Sequence, residues 1–236
     1  MKSGRQFLQI PGPTNVPDRV LRAIDRPTID HRGPEFAELT NRVLPGLKKV
    51  FKCEGPVVVF PSSGSGCWEA ALVNTLSAGD KILMVETGQF AILWREIAES
   101  LGIVVEFIPG DWRHGVDAKK IAASLAADSE REIKAVAVVH NETSTGVTSH
   151  IAPVRAALDA ENHPALLLVD VISSLGSIDY RHDEWGVDVT IGGSQKGLML
   201  PPGLGFNAVS ERALEATKSA NLPRSYWDWN AVIQSN

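Results

Sequence analysis

From residue 56 onward the chain alternates between short apolar runs and stretches of helical period. The runs at 57–60, 82–85, 103–108, 135–139, 166–169, 187–191 and 204–209 are four to six residues long and almost wholly apolar. Strands of that kind are covered on both faces, so the pattern predicts a mostly parallel sheet with helices on either side. Between the runs, helical spacing predicts helices over 68–76, 92–101, 151–160 and 211–220, with Asp117 as the N-cap of another running to residue 127. The result is an α/β fold, a three-layer α/β/α sandwich. Before residue 56 the pattern differs. Pro11-Gly12-Pro13-Thr14-Asn15-Val16-Pro17 is too rich in proline for a helix and reads as an extended arm. Phe36, Leu39, Val43, Leu47 and Val50 then fall at helical spacing, predicting a helix over 34–51 with a possible kink at Pro45. After residue 222 an aromatic stretch containing Tyr226, Trp227 and Trp229 reads as the opening of a further element, with those rings exposed.

The length of 236 residues suits one large domain with extensions, and its 44% hydrophobic and 22% charged residues are ordinary for a globular chain. A net charge of −5, from 23 basic and 28 acidic residues, argues against a nucleic-acid partner. No apolar run approaches the roughly 20 residues of a membrane helix, and the N-terminal stretch before Pro11 carries no secretory pattern. With only Cys53 and Cys67, a disulfide framework is not expected, and a reducing, cytoplasmic location is.

Four polar clusters directly follow predicted strands, where an open α/β sheet binds its ligands. Ser62-Ser63-Gly64-Ser65-Gly66 reads either as a phosphate cradle at a helix N-terminus or as a plain turn. His140-Asn141-Glu142-Thr143-Ser144-Thr145-Gly146 is a ligand loop or a solvated one. Asp170 ends a buried run, which is costly for a carboxylate without a partner, so a functional role is favoured over a cap or ion pair. Lys196, in Gly193-Ser194-Gln195-Lys196-Gly197, could be a desolvated amine nucleophile or an ordinary surface charge. No cluster is decisive alone. An anion cradle, a strand-end acid and a strand-end amine together form the set that pyridoxal 5'-phosphate (PLP) needs for its phosphate, its ring nitrogen and its aldehyde. No metal site is expected.

The chain resembles the class V aminotransferases of the fold-type I PLP enzymes, and within them the serine–glyoxylate and alanine–glyoxylate aminotransferases. The resemblance runs from the Pro11–Asn15 arm to Tyr226. Its most specific stretches are Asp30-His31-Arg32-Gly33-Pro34, Ser63-Gly64-Ser65-Gly66, His140 to Val147, and Gly193-Ser194-Gln195-Lys196-Gly197 with Pro201-Pro202-Gly203. It implies that Lys196 is the Schiff-base lysine and catalytic acid/base, and that Asp170 pairs with the ring nitrogen. Ser65, Gly66, Cys67 and Gln195 would lie at the phosphate and Thr143 at the ring oxygen, with Phe90 stacked on one ring face and Ile172 covering the other. It also implies a homodimer, amino acid and 2-oxo acid substrates, and a smaller C-terminal domain, carrying a carboxylate-binding arginine, beyond Asn236. The corresponding division is an arm over 1–33, a PLP-binding large domain over 34–222, and the start of a connection over 223–236.

The expected reaction is transamination from serine or alanine to glyoxylate, giving glycine and a 2-oxo acid. Aspartate as donor is an alternative, as are aminoethylphosphonate transaminase and cysteine desulfurase chemistry on the same fold. The desulfurases place a histidine before the lysine, where this chain has Gln195. A non-catalytic phosphate-ligand-binding module is the alternative of another class, and it would leave Lys196 and Asp170 without a joint purpose.

Overall fold

The computed structural model describes residues 7–235. Seven strands form one sheet: β1 (Val57–Ser62), β2 (Lys81–Val85), β3 (Val104–Ile108), β4 (Ile133–Val139), β5 (Leu166–Asp170), β6 (Val189–Gly193) and β7 (Gly203–Val209). Their order across the sheet is β1-β7-β6-β5-β4-β2-β3. The contacts from β3 through β6 are all parallel, and β7 runs antiparallel to both of its neighbours, β6 and β1. The predicted mostly parallel sheet is therefore present, with one reversed strand inserted near its edge.

Most of the apolar runs are buried on both faces, as the pattern predicts; the edge strand β3 is the exception, with Val104 exposed and the rest half-buried. In β4, Ala135, Ala137 and Val139 join one core and Val136 and Val138 the other; Ile82 and Met84 oppose Leu83 and Val85 in β2 in the same way. The first core is covered by α3 (Gly64–Thr75), α4 (Gln89–Ser100), α7 (Glu211–Ala216) and α8 (Trp229–Gln234), which contribute Trp68, Trp94, Ala213 and Trp229. The second is covered by α5 (Ala118–Ala127), α6 (Ile151–Ala160) and the end of α2 (Pro34–Phe51), which contribute Ile121, Leu158 and Phe51. These are the three layers.

Several elements depart from the sequence pattern. The arm contains a helix, α1 (Asp18–Ile24), none of whose residues is buried. The helix α3 begins at Gly64, not near Trp68, because Ser63 caps it by accepting from the Gly66 N–H. The glycine-serine cluster is thus the first turn of a helix. The helix after β7 stops at Ala216 and continues as turns. The expected exposure of the aromatic stretch holds for Tyr226, at 57%, but not for Trp229, which is 0% exposed. The Trp229 indole donates to Asn207 Oδ1 at 3.1 Å and its backbone N–H to Asn74 Oδ1 at 3.1 Å, so buried amides on β7 and α3 hold the ring in the core.

Candidate active site

The strand register brings the four polar clusters to one edge of the sheet. Val139, at the end of β4, lies beside Asp170 at the end of β5, and Asp170 lies beside Ile191 of β6. Two residues beyond β6, the chain reaches Gln195 and Lys196. The strand β1 also ends on this edge, delivering Ser62 and Ser63 to the start of α3. A cavity of about 230 Å³ results, lined by Gly12, Ser63, Gly64, Ser65, Trp68, Phe90, Val139, Asn141, Thr143, Asp170, Ile172, Gln195 and Lys196.

Lys196 is only 9% exposed, and among the described residues no hydrogen bond or ion pair engages its amine. Burial lowers its pKa, while the charges of Asp170 and Glu142 oppose that shift. The N-terminal arm covers the lysine stem. Thr14 donates its N–H to the Gln195 carbonyl at 3.1 Å, and a Cβ on Gly12 would come within 2.6 Å of Lys196 Cδ. Residue 12 must therefore be glycine for the arm to lie this close. The amine itself lies 5.7 Å from the centre of the Phe90 ring.

Asp170 is 4% exposed. Its Oδ1 accepts from the Ile172 N–H at 2.7 Å and its Oδ2 from the Trp68 indole N–H at 2.9 Å. Desolvation dominates all the same and pushes its pKa up to about 7, with Glu142 adding to the rise and Lys196 opposing it.

Opposite these groups, α3 points its N-terminus into the cavity. Among the described residues, the first two N–H groups, of Gly64 and Ser65, have no acceptor, as expected at a helix start. Close by, the amide oxygen of Gln195 is buried without a partner. A Cβ on Gly193 would sit 3.2 Å from that oxygen and 3.8 Å from the Gly64 nitrogen, so the strand end and the helix start meet here.

Phe90 reaches the cavity from the first turn of α4, and the loop after β4 holds that turn in place. Ser144 Oγ accepts from the Gln89 N–H at 3.0 Å, Glu142 Oε1 from the Phe90 N–H at 3.3 Å and Glu142 Oε2 from the Ala91 N–H at 3.2 Å. Glu142 is fully buried and caps the helix from 52 residues away.

Seven of the predicted site residues therefore line one cavity: Ser65, Phe90, Thr143, Asp170, Ile172, Gln195 and Lys196. Gly66 and Cys67 do not. The Gly66 N–H is taken by the Ser63 cap, and a Cβ at that position would meet Trp227 at 2.8 Å. The Cys67 side chain is buried against β7, its N–H donates to the Ser63 carbonyl, and burial pushes its thiol up to about 12. The His140 ring also turns away, to Ser174 at 2.9 Å. Sequence reasoning assigned no role to Trp68, Asn141, Glu142 or Gly12. A proline-glycine arm was the only signal for Gly12. Trp68 gave none, and Glu142 only its place in the polar loop after β4, because their partners lie far along the chain.

The sequence pattern described as aminotransferase class-V matches residues 6–223. The chain is 52% identical over 232 residues to a serine–glyoxylate aminotransferase of Hyphomicrobium methylovorum, covering 97% of this chain and 57% of that protein. It is 50% identical over 220 residues to an L-aspartate–glyoxylate aminotransferase of Paracoccus denitrificans, covering 93% of this chain and 56% of that protein. The crystal structure of an alanine–glyoxylate aminotransferase from Nostoc sp. superposes with a TM-score of 0.91 at 29% identity, covering 99% of this chain and 62% of that one. The chain thus spans a little over half the length of the relatives it matches.

Proposed function

The chain belongs to the class V aminotransferase family, and from that premise we propose that it holds PLP in the cavity above Asp170 and serves the transfer of an amino group from an amino acid to glyoxylate. The observation that carries the reading is the meeting of three groups in one cavity: an amine without a partner, a buried carboxylate and a helix N-terminus with free N–H groups. The residues fit the cofactor. Gly64 and Ser65 would hold its phosphate with their N–H groups, joined by the Ser65 hydroxyl. The Gln195 side chain, now lacking a partner on its buried oxygen, lies at the same end. Asp170 would face the ring nitrogen, Phe90 and Ile172 would enclose the ring faces, and Thr143 would reach the ring oxygen.

Bound there, PLP supplies an aldehyde carbon that takes up amines and a protonated ring that accepts the electron pair left when a Cα proton departs. The chain supplies the rest. Lys196 would provide the attaching amine and, once displaced by an incoming amino acid, would accept the substrate's Cα proton at Nζ and hold it for redelivery. Its lowered pKa favours the neutral form that can accept a proton. Asp170 holds the proton on the ring nitrogen, and that positive charge would in turn bring the carboxyl's own pKa back down. Gly12 and Thr14 close the lysine side against water.

Serine, alanine and aspartate are the donors that the relatives' chemistry supports, with glycine as the product from glyoxylate. A desulfurase role is disfavoured by the chain's own thiols. Burial, foremost, pushes Cys53 up to about 11 and Cys67 to about 12, so neither is a ready nucleophile. Among the described residues no helix is long and apolar enough to cross a membrane. Two buried free thiols support a cytoplasmic location, and apolar residues exposed on α1 and α2 support a homodimer.

The test is spectroscopic. PLP added to the chain should give a visible absorption band that borohydride converts to a covalent adduct, mapped by peptide analysis to Lys196 and absent in Lys196→Ala. An adduct spread over several lysines would refute the assignment. Glycine formation from glyoxylate with each donor in turn then ranks the donors.

A further inference from the structure

We propose that Trp68 is a positioning residue for Asp170: its indole N–H fixes the carboxylate at the floor of the cavity and favours its anionic form over the protonated one. The purpose of that role rests on the PLP reading above, since a protonated ring nitrogen needs an anion opposite it. The coupling itself is a property of this chain alone.

Gly64 and Trp68 are four residues apart and so lie on one face of α3, one turn from each other. Gly64 offers its free N–H at the anion end of the cavity, and Trp68 sends its indole beneath the other end to Asp170. One rigid element therefore sets the distance between two of the cavity's polar ends. The indole is 1% exposed and stacked on Trp94, with ring centres 5.9 Å apart and planes 13° apart, and Phe90 meets its edge at 6.4 Å. It has no freedom to follow a moving carboxylate, so the carboxylate must come to it. The other donor to Asp170, the Ile172 N–H, lies two residues along the same loop and moves with the aspartate. Trp68 is the one side chain among the described residues that donates to this carboxylate from a different element.

The chemistry of the donor decides which form is favoured. An indole N–H can donate but never accept. With Trp68 on Oδ2 and Ile172 on Oδ1, each carboxylate oxygen faces a donor. A proton added along either direction sets donor against donor. The pair therefore favours the anion against the desolvation that works the other way. Ordinary core packing accounts for the stacking on Trp94, but it does not require the indole nitrogen to point at a carboxylate.

Trp68→Phe removes the donor and keeps an aromatic ring. In the chain without cofactor, the carbon-13 carboxyl titration of Asp170 should move up by about one pH unit. PLP affinity, followed by absorbance, should fall about tenfold at the acid end of the range and converge with the parent at the alkaline end. A simple packing defect would weaken binding equally at every pH and leave the titration in place. A folded variant with an unmoved Asp170 midpoint overturns the proposal. The parent chain gives a second test that needs no substitution: the Trp68 indole N–H resonance should shift with the Asp170 titration, and its indifference would also overturn the proposal. If the midpoint moves while the parent binds no PLP, the coupling stands and the aminotransferase reading falls.

Discussion

Lys196 and Asp170 are pushed by burial in opposite senses, the amine down and the carboxyl up, so burial works against the charged form of both. That has a cost that can be measured. At a pH well below its ordinary value of 3.8, the Asp170 carboxyl is protonated in both the folded and the unfolded chain. As pH rises from its ordinary value of 3.8 towards about 7, the unfolded chain releases this proton while the folded chain keeps it, so stability is lost with rising pH; above about 7 the loss levels off. Asp170→Asn removes the titration. Relative to the parent, this variant should gain stability between pH 5 and pH 8, by on the order of 2 kcal/mol, in urea unfolding without PLP. A difference that stays constant across that range would show that Asp170 is not held in a raised state. The same variant should bind PLP poorly, which makes the aspartate a residue kept against stability. Asp170 was legible in the sequence because it stands directly after an apolar run, where a charge needs a reason; Lys196, five residues past its run, was legible only in combination with the other polar clusters. Trp68 and Glu142 were not legible. Each acts on a partner 102 or 52 residues away, and nothing local in the sequence records such a pairing. Cys67 misled for a related reason: the turn it belongs to is the inside of a helix, whose next face is core.

At the level of elements, the helix α6 matches its predicted span, and the strands fall within a few residues of their apolar runs. The signal there is burial on both faces, which a run of valines and leucines states directly. Where a helix start is built from glycine and serine, as in α3, the pattern hides it, because these residues carry no apolar periodicity and act through backbone N–H groups. The start of α4 is hidden more deeply still. Its N-cap position is Gly88, which offers no side chain, and the capping acceptors come from the loop after β4. A Cβ on Gly88 would lie 2.5 Å from Glu142 Cγ and 2.6 Å from Ser144 Oγ, so Gly88 and Glu142 fit only as a pair. Glu142→Gln should replace one acceptor by a donor facing backbone N–H groups, costing about 1–3 kcal/mol. Amide exchange should accelerate at Phe90 and Ala91 before it does elsewhere in α4. Gly88→Ala should loosen the same two amides by pushing the clamp aside. Protection of Phe90 and Ala91 that survives both changes would mean that the tertiary packing of α4, not the Glu142 clamp, fixes the ring beside Lys196.

Across the whole molecule, five parallel strands and the co-directional β1 end on one edge, and the reversed β7 closes the gap between β1 and β6. The reversal was not legible, because an apolar run states that a strand is buried but not which way it points. The polar edge carries the candidate site, and both faces of the sheet are covered. The largest group of exposed apolar side chains lies in the N-terminal quarter. No residue of α1 is buried, and α2, 18 residues long, fully buries only Phe51. Leu39, Val43 and Val50 follow one another at helical spacing along α2, and Val43 is 46% exposed; Leu21 and Ile24 of α1 are exposed as well, the latter at 54%. Single exposed apolar residues need no explanation, but two helices presenting them together make a candidate surface for a partner. A second copy of the chain is the partner we favour, and the arm gives such a contact a consequence. The residues just before α1 lie on the Lys196 stem, so whatever steadies α1 also steadies the cover of the amine. At micromolar concentration the chain should sediment at twice its 25.5 kDa mass. Leu39→Lys with Val43→Lys should return it to a monomer with its fold intact by circular dichroism. The monomer should hold PLP less tightly, although neither substitution touches the cavity. A parent chain that sediments as a monomer would remove the partner copy from the argument and leave this surface to some other cover.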